Sequence, residues 1–496
     1  MEELRVSTPA VADARSEALL ARLPTRPARI TADSRAVERG VAFAAYPGAQ
    51  HDGRAYIGDA IARGAAAVLW ETRDFAWDAR WQVPQLGVGD LKQRLGSIAS
   101  AVYGHPSQTL WMIGVTGTNG KTSCAHWTAQ ALAHCGRRTA FVGTLGAGFI
   151  GALESSRNTT PDVCLLHEWL AQWRDQGAAA VAMEVSSHGL DQGRVNGIAF
   201  DVALFTNLTR DHLDYHGTMA AYGAAKARLF DGPGLQASVV NAADAFGREL
   251  IAKLRGRGRR VVAYGAPDAD IVAASVATTA TGMAIAVRTR DGGGRLETRL
   301  AGAFNVQNLL GVLGVLLESG IALPDALAAL ANVTPPPGRM ERLGGGALPT
   351  VVVDYAHSPD ALEQVLTALR PSVGRGRLVC VFGCGGERDR GKRPQMGEVA
   401  GRLADRVVVT SDNPRGEDPQ LIVEDIVPGL AGSSAPWSVV LDRAAAIAEA
   451  IGAARAGDVV VLAGKGHEEY QEVDGRRLPF SDRRAAEAAL SRRSPA

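Results

Sequence analysis

Cysteine is scarce in this chain. There are five in 496 residues, an odd number with no Cys-x-x-Cys pair. Neither a disulfide framework nor a zinc knuckle is expected. Cys124, Cys135, Cys164, Cys380 and Cys384 read as small core residues of a reduced, cytoplasmic protein. An excess of one charge is also missing. The net charge is +1 with 21% charged residues, which excludes nucleic-acid binding driven by bulk electrostatics. Anionic ligands must therefore be held by local sites. No uninterrupted apolar stretch approaches the roughly 18 residues of a membrane span. The start, Met-Glu-Glu-Leu-Arg, lacks a signal-peptide-like apolar run. No membrane insertion is expected.

What is present is a long alternation of apolar runs and helical patterns, with 46% hydrophobic residues. The length suggests about three domains. Residues 1–108 read as a small α/β unit with Ile30–Arg35, a run over 40–47, an Ala-rich helix near Tyr56–Arg63 and a strand at Ala66–Trp70. Residues 109–337 carry strand-like runs at Leu110–Val115, Ala178–Val185, Val202–Thr206, Ser238–Asn241 and Val261–Tyr264, which imply parallel βαβ units. Residues 269–300 alternate more like an antiparallel patch. Pro335-Pro336-Pro337-Gly338 is a strong break and a hinge candidate. Residues 338–496 repeat the doubly wound pattern, with strands at Thr350–Asp354, Arg377–Phe382, Val407–Thr410 and Asp458–Ala463. In such folds ligands gather at the carboxyl ends of strands. The last six residues, from Ser491, read as a disordered tail.

Gly114-Val-Thr-Gly117-Thr118-Asn119-Gly120-Lys121-Thr122 follows a strand and opens a helical run. Glycines let backbone N–H groups approach phosphate oxygens, and the helix N-terminus adds positive potential. Lys121 can bridge two phosphates, and the Thr122 hydroxyl can ligate Mg²⁺. The common phosphate-loop pattern has glycine where this chain has Val115, so the loop is a variant. Glu184 ends the next apolar strand, where an acid can reach a metal at the loop; a surface-turn glutamate is the plain alternative. The run Asp211-His212-Leu-Asp214-Tyr-His216 makes His212 a candidate metal ligand, or a hydrogen-bonded loop histidine. Lys226, read alone, is an exposed helix lysine. Asp412-Asn413-Pro414-Arg415 follows another buried strand and is either a turn or the reader of a second substrate.

Together these motifs resemble the Mur ligase family, the ATP-dependent amide-forming enzymes of peptidoglycan precursor synthesis. The resemblance rests on GTNGKT at 117–122, EVSSHGL at 184–190, TNLTRDHLDYHG at 206–217, AAKARLF at 224–230, GAFNVQN at 302–308, PGRME at 337–341, DYAHSPD at 354–360, FGCGGERDRGKRP at 382–394, SDNPRGEDP at 411–419 and AGKGHEEY at 463–470. They occur in family order across nearly the whole chain. The resemblance implies three α/β domains: an N-terminal one for the UDP end (1–108), a central ATPase with a mostly parallel sheet (109–337) and a Rossmann-like C-terminal one (338–496). It implies addition of meso-diaminopimelate to UDP-N-acetylmuramoyl-L-alanyl-D-glutamate through an acyl phosphate, with ATP as co-substrate and Mg²⁺ as cofactor, by a cytoplasmic monomer.

By the same resemblance, Gly117, Thr118, Asn119, Gly120, Lys121, Thr122, Ser123, Asn308, Arg339 and Asp354 would surround ATP. Lys226 would be carbamylated and would hold Mg²⁺ with Thr122, Glu184 and His212. Ser34, Ala49, Gln50 and His51 would meet the UDP end, and Thr159, Thr160, Ser186, Gln192 and Arg194 the muramoyl dipeptide. Arg388, Asp412, Asn413, Pro414, Arg415, Gly464 and Glu468 would hold the incoming amino acid. An arginine fork suits a distal carboxylate, which diaminopimelate has and lysine lacks. The rival readings are a lysine-adding relative, a folylpolyglutamate synthetase and a nucleotide-binding regulator.

Overall fold

The computed structural model describes residues 14–48, 51–156, 158–279 and 282–493. Three parallel-stranded sheets follow one another along the chain. The first has four strands in sequence order, Arg29–Thr31, Val41–Ala45, Ala67–Glu71 and Gln85–Val88. Helix Leu91–Val102 closes it, with Leu91, Leu95, Ile98 and Ala99 buried against the sheet.

The second sheet has eight strands. Its parallel part runs, from one edge, Val261–Tyr264, Ala237–Asn241, Val202–Phe205, Trp111–Thr116, Ala180–Glu184 and Thr139–Gly143. Strands Gly146–Phe149 and Ala152–Glu154 extend it antiparallel. The pleat explains why both faces are apolar: Ile113 and Val115 pack on one face, Met112 on the other. Helices Lys121–His134 and Ala303–Glu318 cover the first face, and Val163–Asp175 and Ala245–Gly256 the second. Residues 269–300 form three antiparallel strands, Val272–Thr279, Gly282–Thr289 and Gly292–Thr298, as their alternation predicts.

The third sheet has six strands in the order Glu341–Gly344, Thr350–Asp354, Val459–Ala463, Leu378–Phe382, Arg406–Val409 and Trp437–Val439. Only the first is antiparallel. Val352, Cys380 and Val461 face one helix layer; Val351, Val379 and Val460 face the other. Arg443 and Asp482 pair in that second layer with neither side chain exposed (0%/0%). The expected disordered tail is corrected at its start: Ser491 ends helix Asp482–Ser491, and residues 494–496 lie outside the described ones.

Candidate active site

The phosphate loop connects strand Trp111–Thr116 to helix Lys121–His134 and is held from the next parallel strand's end. Thr118 N donates to Asn207 O at 2.8 Å, Asn119 N to Asn207 Oδ1 at 2.9 Å, and Thr206 Oγ1 to Asn119 O at 2.6 Å. Gly120 has φ +84°, and a Cβ there would lie 2.5 Å from Asn308 Oδ1. Glycine is thus required both by conformation and by the approach of Asn308. Lys121 folds back onto the loop, donating to Gly117 O at 3.0 Å and Thr118 O at 2.8 Å. Burial lowers its pKa, opposed by Glu184 and Asp211. Ser123 is buried one residue beyond Thr122.

Glu184 is buried at the end of its strand. It accepts from Thr122 Oγ1 at 2.9 Å and from Thr144 N at 2.8 Å. Arg339, just past Pro335–Gly338, donates to Thr122 Oγ1 at 3.0 Å and lies 4.4 Å from the Tyr355 ring centroid. Among the described residues its buried Nε has no hydrogen-bond partner. Asp354 accepts from Met340 N and Ala356 N, both at 2.8 Å, and so clamps the chain after the proline run. Burial raises the Asp354 pKa, opposed first by Arg339.

Lys226 corrects the plain reading of an exposed lysine. It is 1% exposed, because its face of helix Met219–Ala227 packs on the phosphate loop. Its Nζ donates to Gly117 O at 2.7 Å and sits 4.2 Å from the Tyr222 ring centroid. Burial, then the neighbouring Lys121, hold its pKa well below that of an ordinary lysine. His212 has φ 53° at the start of helix Leu213–His216. Its backbone N donates to Asp211 Oδ1 at 2.9 Å, and its ring meets that of His188 edge-on at 4.8 Å. Burial lowers its pKa to about 3, so the imidazole is neutral. Among the described residues no three His, Cys, Asp or Glu side chains form a metal-holding group. The donors beside the loop are the Thr122 hydroxyl and the Glu184 carboxylate, hard oxygens of the kind Mg²⁺ takes.

The dipeptide candidates lie behind Glu184. Thr160 Oγ1 donates to Glu184 O at 2.9 Å, Ser186 Oγ caps helix Ser187–Asp191 through Gly189 N at 3.0 Å, and Arg194 donates to Thr160 O at 2.9 Å and to Gln192 Oε1 at 2.6 Å. Thr159 and Thr144 share a hydroxyl contact of 3.1 Å. Ser34 opens the turn Ser34–Ala36 in the first sheet's loops, and His51 is exposed. Ala49 and Gln50 lie outside the described residues.

The third sheet supplies the amino-acid candidates from loops at its carboxyl edge. Asn413 Nδ2 donates to Glu468 Oε2 at 2.8 Å, and buried Lys465 donates to both Asn413 Oδ1 (3.0 Å) and Glu468 Oε2 (2.8 Å). A Cβ on Gly464 would lie 2.3 Å from Asp412 Oδ2. Pro414 is buried. Arg415 has φ 54° and donates Nη1 to Gly386 O at 2.7 Å, with Nε 3.3 Å from Glu472 Oε2. Arg388 is exposed and donates to Glu387 O at 3.0 Å. Sequence reading missed Thr144 and Lys465. Thr144 directly follows a strand end, and Lys465 lies inside a quoted motif; contact with the Glu184 and Glu468 carboxylates is what singles them out.

This assembly is a nucleotide-dependent ligase scaffold: a phosphate loop, a buried acid beside it, and a second α/β unit facing both. The chain belongs to the Mur ligase family. It matches the Mur ligase family catalytic domain over residues 28–103, the Mur ligase middle domain over 115–316 and the Mur ligase glutamate ligase domain over 338–466. It is 53% identical over 466 residues to a UDP-N-acetylmuramoyl-L-alanyl-D-glutamate–2,6-diaminopimelate ligase of Ectopseudomonas mendocina, covering 93% of this chain and 94% of that protein. A protein of the same name from Chromobacterium violaceum is 51% identical over 478 residues, 96% of each chain. A solved structure of such a ligase is 37% identical with TM-score 0.67, covering 93% of this chain and 94% of that one. The MurF ligase of Thermotoga maritima in complex with ADP shares the fold at TM-score 0.66 and 19% identity, covering 94% of this chain and 98% of that one.

Proposed function

We propose that this chain is the ATP-dependent ligase that adds meso-diaminopimelate to UDP-N-acetylmuramoyl-L-alanyl-D-glutamate in peptidoglycan precursor synthesis, acting as a cytoplasmic monomer. The observation that carries this is identity above 50% across nearly the full length to ligases named for that reaction.

ATP binds over the glycines of the phosphate loop. The substrate's D-glutamate γ-carboxylate attacks the γ-phosphorus, the bond to the bridging oxygen breaks, and ADP and an acyl phosphate form. Lys121 is placed to offset the charge in transit, and the loop N–H groups orient the phosphates. Arg339 and Asn308 close on the nucleotide from either side. The neutral amine of diaminopimelate then attacks the acyl carbon, phosphate leaves with the bonding pair, and the amine gives up a proton. Thr159, Thr160, Ser186, Gln192 and Arg194 hold the dipeptide, and Ser34 with the 49–51 loop holds the uridine end. Asn413 and Glu468 receive the distal ammonium, while Arg415 turns from Gly386 O to the distal carboxylate. Most of the rate gain comes from holding amine and acyl carbon together.

Thr122, Glu184, His212 and a carbamate on Lys226 would hold Mg²⁺, which would supply charge neutralisation for the phosphates. The buried, readily deprotonated amine of Lys226 suits carbamylation, since only the neutral amine adds CO₂, releasing a proton. Thr122 and Glu184 donate the oxygen ligands that Mg²⁺ prefers.

Phosphate release with the nucleotide dipeptide and a panel of amino acids tests the reading. Diaminopimelate should drive turnover and lysine should not; equal turnover with lysine refutes it. Arg415→Ala should raise the diaminopimelate KM by about tenfold or more and leave the ATP KM unchanged.

A further inference from the structure

The turn between strand Leu378–Phe382 and helix Lys392–Leu403 touches both halves of the cleft. At its start, Gly386 O accepts from Arg415 Nη1 at 2.7 Å. At its end, fully buried Arg393 forks onto Glu417, two residues past Arg415, with both bonds at 2.9 Å, and onto Asp425 at 2.9 Å. Arg388 projects from the middle.

The same turn grips the central unit. Asp389 accepts from Arg210 Nε at 3.1 Å and Nη2 at 3.2 Å. Asp389 is nearly buried in that pair, its side chain 8% exposed against 41% for Arg210. Its Oδ1 also accepts from Gly391 N at 2.9 Å, which fixes the turn. A Cβ on Gly391 would lie 2.5 Å from Arg210 Nη2, so the two units meet closely here. One residue on, Lys392 Nζ lies 3.8 Å from Asp211 Oδ1, and His357 Nε2 lies 3.6 Å from Asp211 Oδ2. Asn119 of the phosphate loop reaches Asp360 Oδ2 at 2.7 Å beside them. Asp211 is buried and joined to His212. Polar contacts at both ends of the backbone stretch 386–393 thus join Arg415 to Arg210, Asp211 and His212.

We propose that Asp389 and Lys392 are positioning residues that couple amino-acid binding to the phosphoryl-transfer site. This rests on the proposed function. Asp389 and Lys392 hold Arg210 and Asp211 while Gly386 O still meets Arg415, so when Arg415 turns to the substrate's distal carboxylate it acts on a turn already anchored to the phosphoryl-transfer side. The amine and the acyl phosphate are then aligned together. Without this grip each half-site remains intact and the two are poorly registered. A merely structural ion pair would change stability and leave substrate kinetics alone.

The test is a charge-reversal cycle on the full-length enzyme, reading initial rates against diaminopimelate, ATP and nucleotide dipeptide. Arg210→Glu and Asp389→Arg should each raise the diaminopimelate KM and lower kcat, together about tenfold. The ATP KM should not move. The double exchange should recover most of the loss. Asp389→Asn keeps an acceptor for Gly391 N–H while removing the charge, and it should show the same kinetic defect at an unchanged melting temperature. The proposal is overturned if Asp389→Asn has parental diaminopimelate kinetics, or if the double exchange is no better than the singles while all three melt like the parent. A parent enzyme that fails to use diaminopimelate would refute the proposed function instead, so the two failures are distinct.

Discussion

At the scale of single residues, Lys226 shows how burial changes chemistry. Its amine is 1% exposed, held on Gly117 O and close to Lys121. Water is excluded and a like charge is near, so the neutral form is favoured. Lys226→Ala should nearly abolish turnover, because the proposed carbamate could no longer form. Added short carboxylic acids should restore part of it; full activity in that variant would remove the carbamate from the mechanism. The plain sequence reading of Lys226 as exposed failed because helix position alone does not tell which face packs on a loop from far upstream. Glu184 was legible as a strand-end acid. Its hold on Thr144, 40 residues away in sequence, was not, because only the parallel pairing of 139–143 beside 180–184 brings them together.

At the scale of elements, the phosphate loop depends on glycines that no other residue can replace. Gly120→Ala places a Cβ against Asn308 Oδ1 and forces φ +84° on a side-chain-bearing residue. The backbone cost is about 1–2 kcal/mol. The ATP KM should rise about tenfold as Asn308 is displaced, and unchanged ATP binding would show that the loop adapts. Some strands were legible as apolar runs: Val261–Tyr264 and Thr350–Asp354 coincide with their expected bounds, while the equally buried Thr139–Gly143 was not read. The hairpin strands Gly146–Phe149 and Ala152–Glu154, and the pair Tyr470–Val473 and Arg476–Pro479, were not read. They are short, glycine-rich or polar, and their pairing comes from neighbours rather than from their own patterning.

At the scale of the whole molecule, acid should loosen the fold through histidines buried as neutral rings. Burial lowers His126 and His167 from 6.5 to about 4. His167 donates Nε2–H to Asn196 O at 3.1 Å, and its Nδ1 has no partner among the described residues. Because the folded pKa is depressed, the unfolded chain takes up the proton first. The stability each ring contributes is present above pH 6.5, falls as pH drops towards 4, and changes no further below that. The full loss is on the order of 3 kcal/mol per ring. Urea midpoints between pH 7 and 4 should fall, and His167→Gln, which keeps a donor, should flatten the slope; an unchanged slope would exclude His167 as a source. By itself the sequence determined the three α/β units and the phosphate loop, because apolar periodicity and glycine spacing are local properties; the Asp412–Arg415 loop stood out only through the family resemblance. The tertiary structure alone decided which side chains meet: Arg339 on Thr122, Lys226 on Gly117, and Asp389 on Arg210. Those contacts join residues far apart in the chain, and only the packing of strands and units sets their distances.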